Sequence, residues 1–302
     1  NITPEQMKIM KSRIPLQLMG LLSRVYVTTS KNESKLTIPD ATVIFDSTVI
    51  ELEYYDINKE VTTIKETLIP QTYCDQRAKL LNPMTSDTVY HRFYLEGVER
   101  PSFLPPSLWR INLSQTLFTL RSINIELGKQ KNLPTEPNHE LCTACEERLK
   151  SMGILNEFGL LTEMGQLAVK YATVSPEFAL ATAHFDAKPE FAFLCSAVIE
   201  HSPNLIQDPQ TELLCKSFCH FSDLVTLLQA IYEISDPDIE MDIDNSGFIY
   251  GTLYAIYSMM GNTFNIENGQ KLTFETLRWA ANQEGGILAM ADQFVSYLNP
   301  RF

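Results

Sequence analysis

The first third of the chain carries the stretch Gln76-Arg77-Ala78-Lys79-Leu80-Leu81-Asn82-Pro83. It closes a segment with a helical pattern, residues 72–81, and strand-like segments lie on both sides of it. These segments are short runs rich in Val, Ile, Tyr and Phe, at residues 24–29, 41–47, 50–55, 63–69 and 90–95. Strands mixed with a helix predict that this part of the chain is the end of an α/β lobe.

Beyond a proline-rich segment at residues 101–106 the pattern becomes helical. Apolar residues recur at helical spacing in residues 107–124, 140–152, 189–200, 209–218, 222–233, 247–260 and 273–298. Thr162 precedes a further helix and is a candidate N-cap, because its hydroxyl can accept a hydrogen bond from a free amide of the first turn. The predicted fold class is therefore α/β followed by all-α.

The stretch at residues 76–83 resembles motif VI of DEAH-type helicases, which reads Gln-Arg-x-Gly-Arg-x-Gly-Arg. The first three positions agree, but Leu80 and Pro83 stand where the family has the two arginines that face the nucleotide γ-phosphate. Neither leucine nor proline can supply the bidentate cation that stabilises phosphoryl transfer. The resemblance thus predicts a helicase relative whose ATPase motif has decayed.

Flanking segments extend the resemblance. Upstream, motif V of the family is matched by Thr29, Glu33, Leu36, Thr37 and Ile38. Residues 43–48 resemble the Val-Val-Asp-Ser-Gly strand that follows, with Thr48 in place of the glycine. Residues 149–155 and 161–165 resemble the Leu-Gly and Leu-Thr-x-x-Gly patterns of the family's winged-helix domain, and residues 222–228 resemble its ratchet domain.

The resemblance implies three domains. Residues 1–100 would be part of a second RecA-like lobe, residues 101–186 a winged-helix domain, and residues 187–302 a helical ratchet-like domain. The first residue falls inside a family pattern, so we expect the chain to be a segment of a longer protein. The sequence lacks the Gly-rich phosphate loop and the acidic magnesium motif of the family, and it offers no catalytic residue.

The composition is that of a globular protein, with 302 residues, 44% hydrophobic and 20% charged. The formal net charge is −13, and residues 203–302 hold 13 acidic against 4 basic side chains. Such a surface repels phosphate backbones, so we expect weak RNA contact in the last third. No apolar run reaches the roughly 18 residues that a membrane span needs, so no membrane contact is predicted.

Candidate RNA-binding residues lie at the end of the first strand-like segment. Hydroxyls and amides there can hold a phosphate, and the candidates are Thr28, Thr29, Ser30 and Lys31. Arg77 is a fifth candidate, but we favour a structural ion pair with Asp75 or Asp87.

Two motifs suggest metal sites. Cys142 and Cys145, with Cys215 and Cys219, could form two zinc half-sites, and residues 242–249 match the start of an EF-hand loop. Leu253 stands where the closing glutamate belongs, and the cysteines lie among apolar residues. We therefore interpret them as an acidic surface loop and as reduced, buried thiols, and predict no metal and no cofactor.

The function predicted from the resemblance is a non-catalytic, helicase-like scaffold in RNA regulation. It would bind a protein partner and also RNA, and would repress translation in germ cells, in the cytoplasm or alternatively the nucleus. We expect a partner because the architecture is retained although catalysis is lost, so another interaction must make use of the fold. Two alternatives stay open: the C-terminal part of an active ATP-dependent RNA helicase, and a single-stranded RNA clamp without a protein partner.

Overall fold

The computed structural model describes residues 25–27, 41–81, 88–93, 99–127, 133–238 and 246–298. The chain divides into two compact units, residues 1–111 and residues 112–302. The first combines strands with a helix, and the second is built almost entirely from helices. The predicted fold class, α/β followed by all-α, is confirmed. The three predicted domains, 1–100, 101–186 and 187–302, stay a prediction.

Four strands and one helix form the described part of the first unit. Strand β1 (Val43–Asp46) pairs in parallel with β4 (Val89–Arg92), with Val43 opposite Val89. Between them the chain forms an antiparallel hairpin of β2 (Val49–Asp56) and β3 (Val61–Leu68), followed by helix α1 (Gln71–Ala78). A parallel pair needs such a crossover connection. Both β1 and β4 therefore end on the same side, where α1 also ends.

Most predicted strands of this unit are found within a few residues of their predicted positions. The exception is the segment at residues 24–29, of which only residues 25–27 are described, and these are not in a strand. Pro83 lies outside the described residues.

Among the described residues, the second unit begins with three α-helices. They are α2 (Ser114–Ser122), α3 (His139–Ser151) and α4 (Glu163–Ala168), and an antiparallel bridge of Leu155 with Leu161 closes the turn between α3 and α4. The N-cap prediction is confirmed, because the Thr162 hydroxyl accepts a hydrogen bond from Gly165 N at 2.9 Å. A Cβ on Gly165 would overlap the carbonyl oxygen of Ile154, so the turn requires a glycine there.

Seven α-helices follow in the part of this unit that the structure describes. They are α5 (Pro176–His184), α6 (Pro189–His201), α7 (Glu212–Lys216), α8 (Asp223–Ser235), α9 (Tyr250–Phe264), α10 (Gly269–Ala281) and α11 (Gly286–Leu298). Helix α6 is buried along most of its length and forms the centre of the core. Phe185, just after α5, packs against Phe294 and Tyr297 of α11, with ring centroids 6.1 Å and 5.7 Å away.

Glycines shape the end of this unit. Helices α9 and α10 approach so closely that a Cβ on Gly269 would overlap the carbonyl oxygen of Tyr257. The single helix predicted at 273–298 is wrong, because the chain breaks at Gly285 and Gly286, where φ is 79° and 66°. Residues other than glycine rarely adopt this backbone conformation. The break divides one apolar pattern into two helices, α10 and α11.

The three tyrosines of α9 differ in exposure. Tyr257 is buried and its hydroxyl lies 2.8 Å from the Ser235 hydroxyl. Tyr250 and Tyr254 stack on each other at the surface, 56% and 59% exposed. The two exposed positions lie four residues apart, on one face of the helix, whereas Tyr257 follows on the face towards α8.

Candidate functional site

Arg77 lies at the end of α1 and is 8% exposed. Its Nη1 donates a hydrogen bond to Oδ1 of Asp46 at 2.5 Å, and its Nη2 donates to the carbonyl oxygen of Val49 at 3.4 Å. The predicted structural ion pair therefore exists, but with Asp46 at the end of β1. Asp75 instead accepts a hydrogen bond from Gln71 Nε2 at 2.6 Å, and Asp87 lies outside the described residues.

Asp46 gathers hydrogen bonds from three parts of the chain. Oδ1 accepts from Arg77 and from the backbone amide of Thr48, the latter at 2.8 Å, while Oδ2 accepts from the Tyr90 hydroxyl on β4. Burial raises the pKa of Asp46, but the hydrogen bonds from Tyr90, Thr48 and Arg77 outweigh it, so the pKa lies below its usual value. The carboxylate thus stays charged, and both of its oxygens accept hydrogen bonds.

Tyr90 is held neutral by the same arrangement. Burial, and then the hydrogen bond to the Asp46 carboxylate, raise the pKa of the Tyr90 phenol well above its usual value. The phenol can therefore act as a hydrogen-bond donor at every ordinary pH.

Thr48 adopts the left-handed backbone conformation, with φ of 60°. This is the position at which the helicase pattern has glycine, and a β-branched residue is strained there. Its buried hydroxyl donates to the carbonyl oxygen of Phe93 at 2.8 Å. The hydrogen bond offsets part of the strain and joins the end of β1 to the end of β4.

Together these contacts connect β1, α1 and β4 at one end of the parallel pair. We call Asp46, Arg77 and Tyr90 the carboxylate cluster. Its guanidinium is engaged with protein atoms, so it anchors the helix that leads into residues 79–83. Leu80, half-buried two residues beyond α1, supplies no cation. The cluster positions the segment that resembles motif VI and has no acid–base chemistry of its own at neutral pH.

Comparisons with known proteins show what this chain is similar to. No family model matches the chain. A human protein named probable ATP-dependent RNA helicase DHX37 is 29% identical over 131 residues, 43% of this chain and 11% of that protein. The ATP-dependent RNA helicase HrpA of Borreliella burgdorferi is 20% identical over 152 residues, which are 50% of this chain and 18% of that protein.

The fold matches a solved structure over most of the chain. The crystal structure of the Escherichia coli DEAH/RHA helicase HrpB aligns with a TM-score of 0.59 and 18% identity, covering 84% of this chain and 31% of that one. The chain is a relative of the DEAH/RHA-type RNA helicases. It resembles their C-terminal half, as the motifs predicted.

The DEAH/RHA relationship corrects one prediction. The prediction that the protein is not an enzyme is wrong, because its relatives are named ATP-dependent RNA helicases, and these are enzymes. The replacement of two arginines by Leu80 and Pro83 does not by itself establish loss of activity. The chain spans less than a third of the helicases that it matches.

The predicted RNA-binding residues other than Arg77 are not tested by the structure. Thr28, Thr29, Ser30 and Lys31 lie outside the described residues, so their contact with RNA stays a prediction. Sequence patterns included Asp46 in the DEAH/RHA resemblance without giving it a role, and they missed Tyr90. The sequence signal that could have indicated a role for Asp46 is its position at the end of a strand, β1, which pairs with β4.

All six cysteines are free thiols, and the prediction that they are buried holds for four of them. Cys215 is exposed and Cys219 half-exposed. Cys145 Sγ accepts a hydrogen bond from Leu113 N at 3.4 Å, which is a structural role at the start of α2. In the part of the chain that the structure describes, no group of three or more His, Cys, Asp or Glu residues could hold a metal ion.

Residues 242–245 of the acidic loop lie outside the described ranges. The expectation that no cofactor is bound stays a prediction. Among the described residues, no helix combines the length and apolar character that crossing a bilayer requires.

Proposed function

We propose that this chain is the C-terminal part of an ATP-dependent RNA helicase of the DEAH/RHA type. The observation that carries the proposal is the order of its parts, an α/β unit followed by helices, which matches HrpB over 84% of the chain. The sequence relatives named above point the same way, since both are named ATP-dependent RNA helicases. This is the alternative that the motifs left open.

In this proposal the chain contributes to RNA binding and to the wall of the ATP site, while an upstream part supplies the phosphate loop. The segment with Thr28, Thr29, Ser30 and Lys31 contacts the RNA backbone. Arg77 supports the ATP side indirectly, because its guanidinium is paired with Asp46 and holds α1 in place. The last third, with 13 acidic and 4 basic side chains, contributes little to RNA affinity.

The test is ATP hydrolysis by the full-length protein, with and without single-stranded RNA. We expect RNA to raise the rate, and Lys31→Glu to raise the RNA concentration needed for half-maximal stimulation. The control is Lys271→Glu, the same charge reversal at an exposed position of the acidic last third. A folded protein whose ATP hydrolysis is absent with RNA present would contradict the proposal.

A second experiment addresses Leu80 and Pro83. Restoring arginine at both positions adds the cations that the family directs at the γ-phosphate, so we expect a higher kcat with little change in RNA affinity. An unchanged kcat would show that these two positions do not limit the reaction.

The finer part of the proposal is a dedicated protein partner in the regulation of messenger RNA, with translational repression in germ cells. It rests on the resemblance alone. Purification of the protein from its native tissue, with and without RNase, tests it. A partner that is retained in stoichiometric amounts after RNase treatment supports this part, and recovery of RNA alone contradicts it.

A further inference from the structure

The turn between α3 and α4 is tightly built. Asn156 N donates to Leu160 O at 2.8 Å, and Gly159 N donates to Asn156 O at 2.9 Å. The Asn156 side chain accepts hydrogen bonds from the amides of Phe158 and Leu160, each at 3.0 Å. Gly159 has φ of 75°, which suits glycine. These hydrogen bonds fix the backbone of the turn before anything binds to it.

The fixed turn presents large apolar side chains to solvent. Phe158 is 87% exposed and Leu160 is 59% exposed. Burial of a phenylalanine side chain is favourable, so a rigid turn that holds one in water forgoes that stabilisation. Adjacent exposed apolar side chains on a fixed backbone are typical of an interaction surface. We call Phe158 and Leu160 the apolar turn.

The end of α2 lies beside the apolar turn. A Cβ on Gly159 would lie 3.4 Å from Nη2 of Arg121, so the Arg121 side chain lies against the turn. Arg121 is therefore a charged neighbour of Phe158 and Leu160.

Acidic side chains lie near the apolar turn, on the side of Arg121 and Lys150. Arg121 pairs with Glu126 at 3.0 Å and with Glu146 at 2.8 Å, so its charge is neutralised. Lys150 pairs with Glu147 at 2.6 Å. The hydrogen bond to Glu147, and then the charges of Glu147, Glu157 and Glu146, raise the pKa of Lys150. Two cations thus face four carboxylates, those of Glu126, Glu146, Glu147 and Glu157.

We propose that the apolar turn is a docking surface for a protein segment that carries apolar side chains beside lysines or arginines. The apolar residues of the segment cover Phe158 and Leu160, and its cations meet the surplus carboxylates around the turn. RNA is disfavoured there, because its phosphates would approach a net negative surface. Preorganisation by Asn156 lowers the cost of binding, since the turn needs no ordering.

The experiment measures fluorescence anisotropy with two labelled amphipathic helical peptides and the 302-residue chain. One peptide has leucines on one face and lysines on the other, and its counterpart has glutamates in place of the lysines. Phe158→Ser is compared with Phe221→Ser, a matched control because Phe221 is 89% exposed at a separate place in the chain. Both side chains lie in solvent, so neither substitution should alter thermal unfolding.

We expect the chain to bind the lysine peptide more tightly than the glutamate peptide. Phe158→Ser should lower the affinity for the lysine peptide by about tenfold or more, as truncation of an interface anchor does. Phe221→Ser should lower it by less than about twofold. Glu157→Lys should also weaken it, because it reverses a charge beside the anchor.

Several outcomes would overturn the proposal. Equal loss in the two serine variants, or equal affinity for the two peptides, would mean non-specific adsorption. Single-stranded RNA that binds in a Phe158-dependent way would make the turn a nucleic-acid surface. A dimer that dissociates in the Phe158→Ser variant would make it a contact between two copies of the chain.

Discussion

The guanidinium of Arg77 and the carboxylate of Asp46 form an ion pair of 2.5 Å between helix α1 and strand β1, with side chains 10% and 3% exposed. Thirty-one positions separate the two residues. The pair therefore fixes the helix that resembles motif VI against the strand that resembles the Val-Val-Asp-Ser-Gly segment. It explains why the arginine is kept where the two that follow are replaced.

Asp46→Asn should destabilise the first unit by about 3 kcal/mol, because it leaves a buried guanidinium without its counter-ion. Urea unfolding followed by circular dichroism measures the change. The control is Asp75→Asn, which removes an exposed carboxylate from α1 and should cost less than about 0.5 kcal/mol. Similar losses in the two variants would contradict a special role for Asp46.

The contribution of Asp46 should depend on pH. Its folded-state pKa is lowered, so the unfolded chain takes up the proton first as the pH falls. The stabilisation is therefore fully present above the unfolded pKa of about 4 and is lost as the pH falls through the lower folded-state pKa. The stability difference between the wild type and Asp46→Asn should be constant from neutral pH to about pH 5 and shrink below about pH 4. A difference that is constant down to pH 2 would contradict this assignment.

Gly269→Ala should destabilise the second unit by more than about 2 kcal/mol, because the new methyl group overlaps the carbonyl oxygen of Tyr257 and α9 must move away from α10. Gly251→Ala is the matched control. It lies in α9 with open space around it, so alanine should stabilise by up to about 1 kcal/mol. Thermal unfolding distinguishes the two, and equal effects would mean that the helices can separate freely.

Thr162→Ala should cost about 1–2 kcal/mol, because it removes the N-cap of α4. The same hydroxyl donates to Gly153 O at 2.6 Å, so its loss also loosens the connection from α3. Thr119→Ala, at an exposed position inside α2, should be neutral or slightly stabilising. Denaturant titration of both variants measures the contrast. An undisturbed midpoint for Thr162→Ala would show that the cap is dispensable.

Local signals predicted much of the fold. The Thr162 cap follows from a side chain at the start of the helix that it caps, and most strands of the first unit follow from their own apolar runs. The helix predicted at 107–124 begins only at Ser114, because the Asn112 side chain accepts a hydrogen bond from Ser114 N at 2.8 Å. Such local hydrogen bonds compete with the helix and leave little trace in the apolar pattern.

The site was harder to predict, because its contacts are distant in sequence. Asp75 lies near Arg77 along the chain and was the natural candidate, yet β1 brings Asp46 closer. Pairings of this kind depend on strand order and crossover, which a pattern of apolar residues does not specify. The exposure of Phe158 was equally hidden, since an apolar residue in a turn is read by default as part of the core.

The packing of Phe185 against Phe294 and Tyr297 has a consequence during synthesis of the protein. Phe185 emerges from the ribosome well before α11 exists, and at about 5–20 residues per second the interval is roughly 5–20 s. Throughout that interval the apolar rings beside α5 have no cover from α11. The nascent chain therefore stays vulnerable to aggregation until α11 arrives, and chains truncated before Gly286 should need a chaperone to stay in solution.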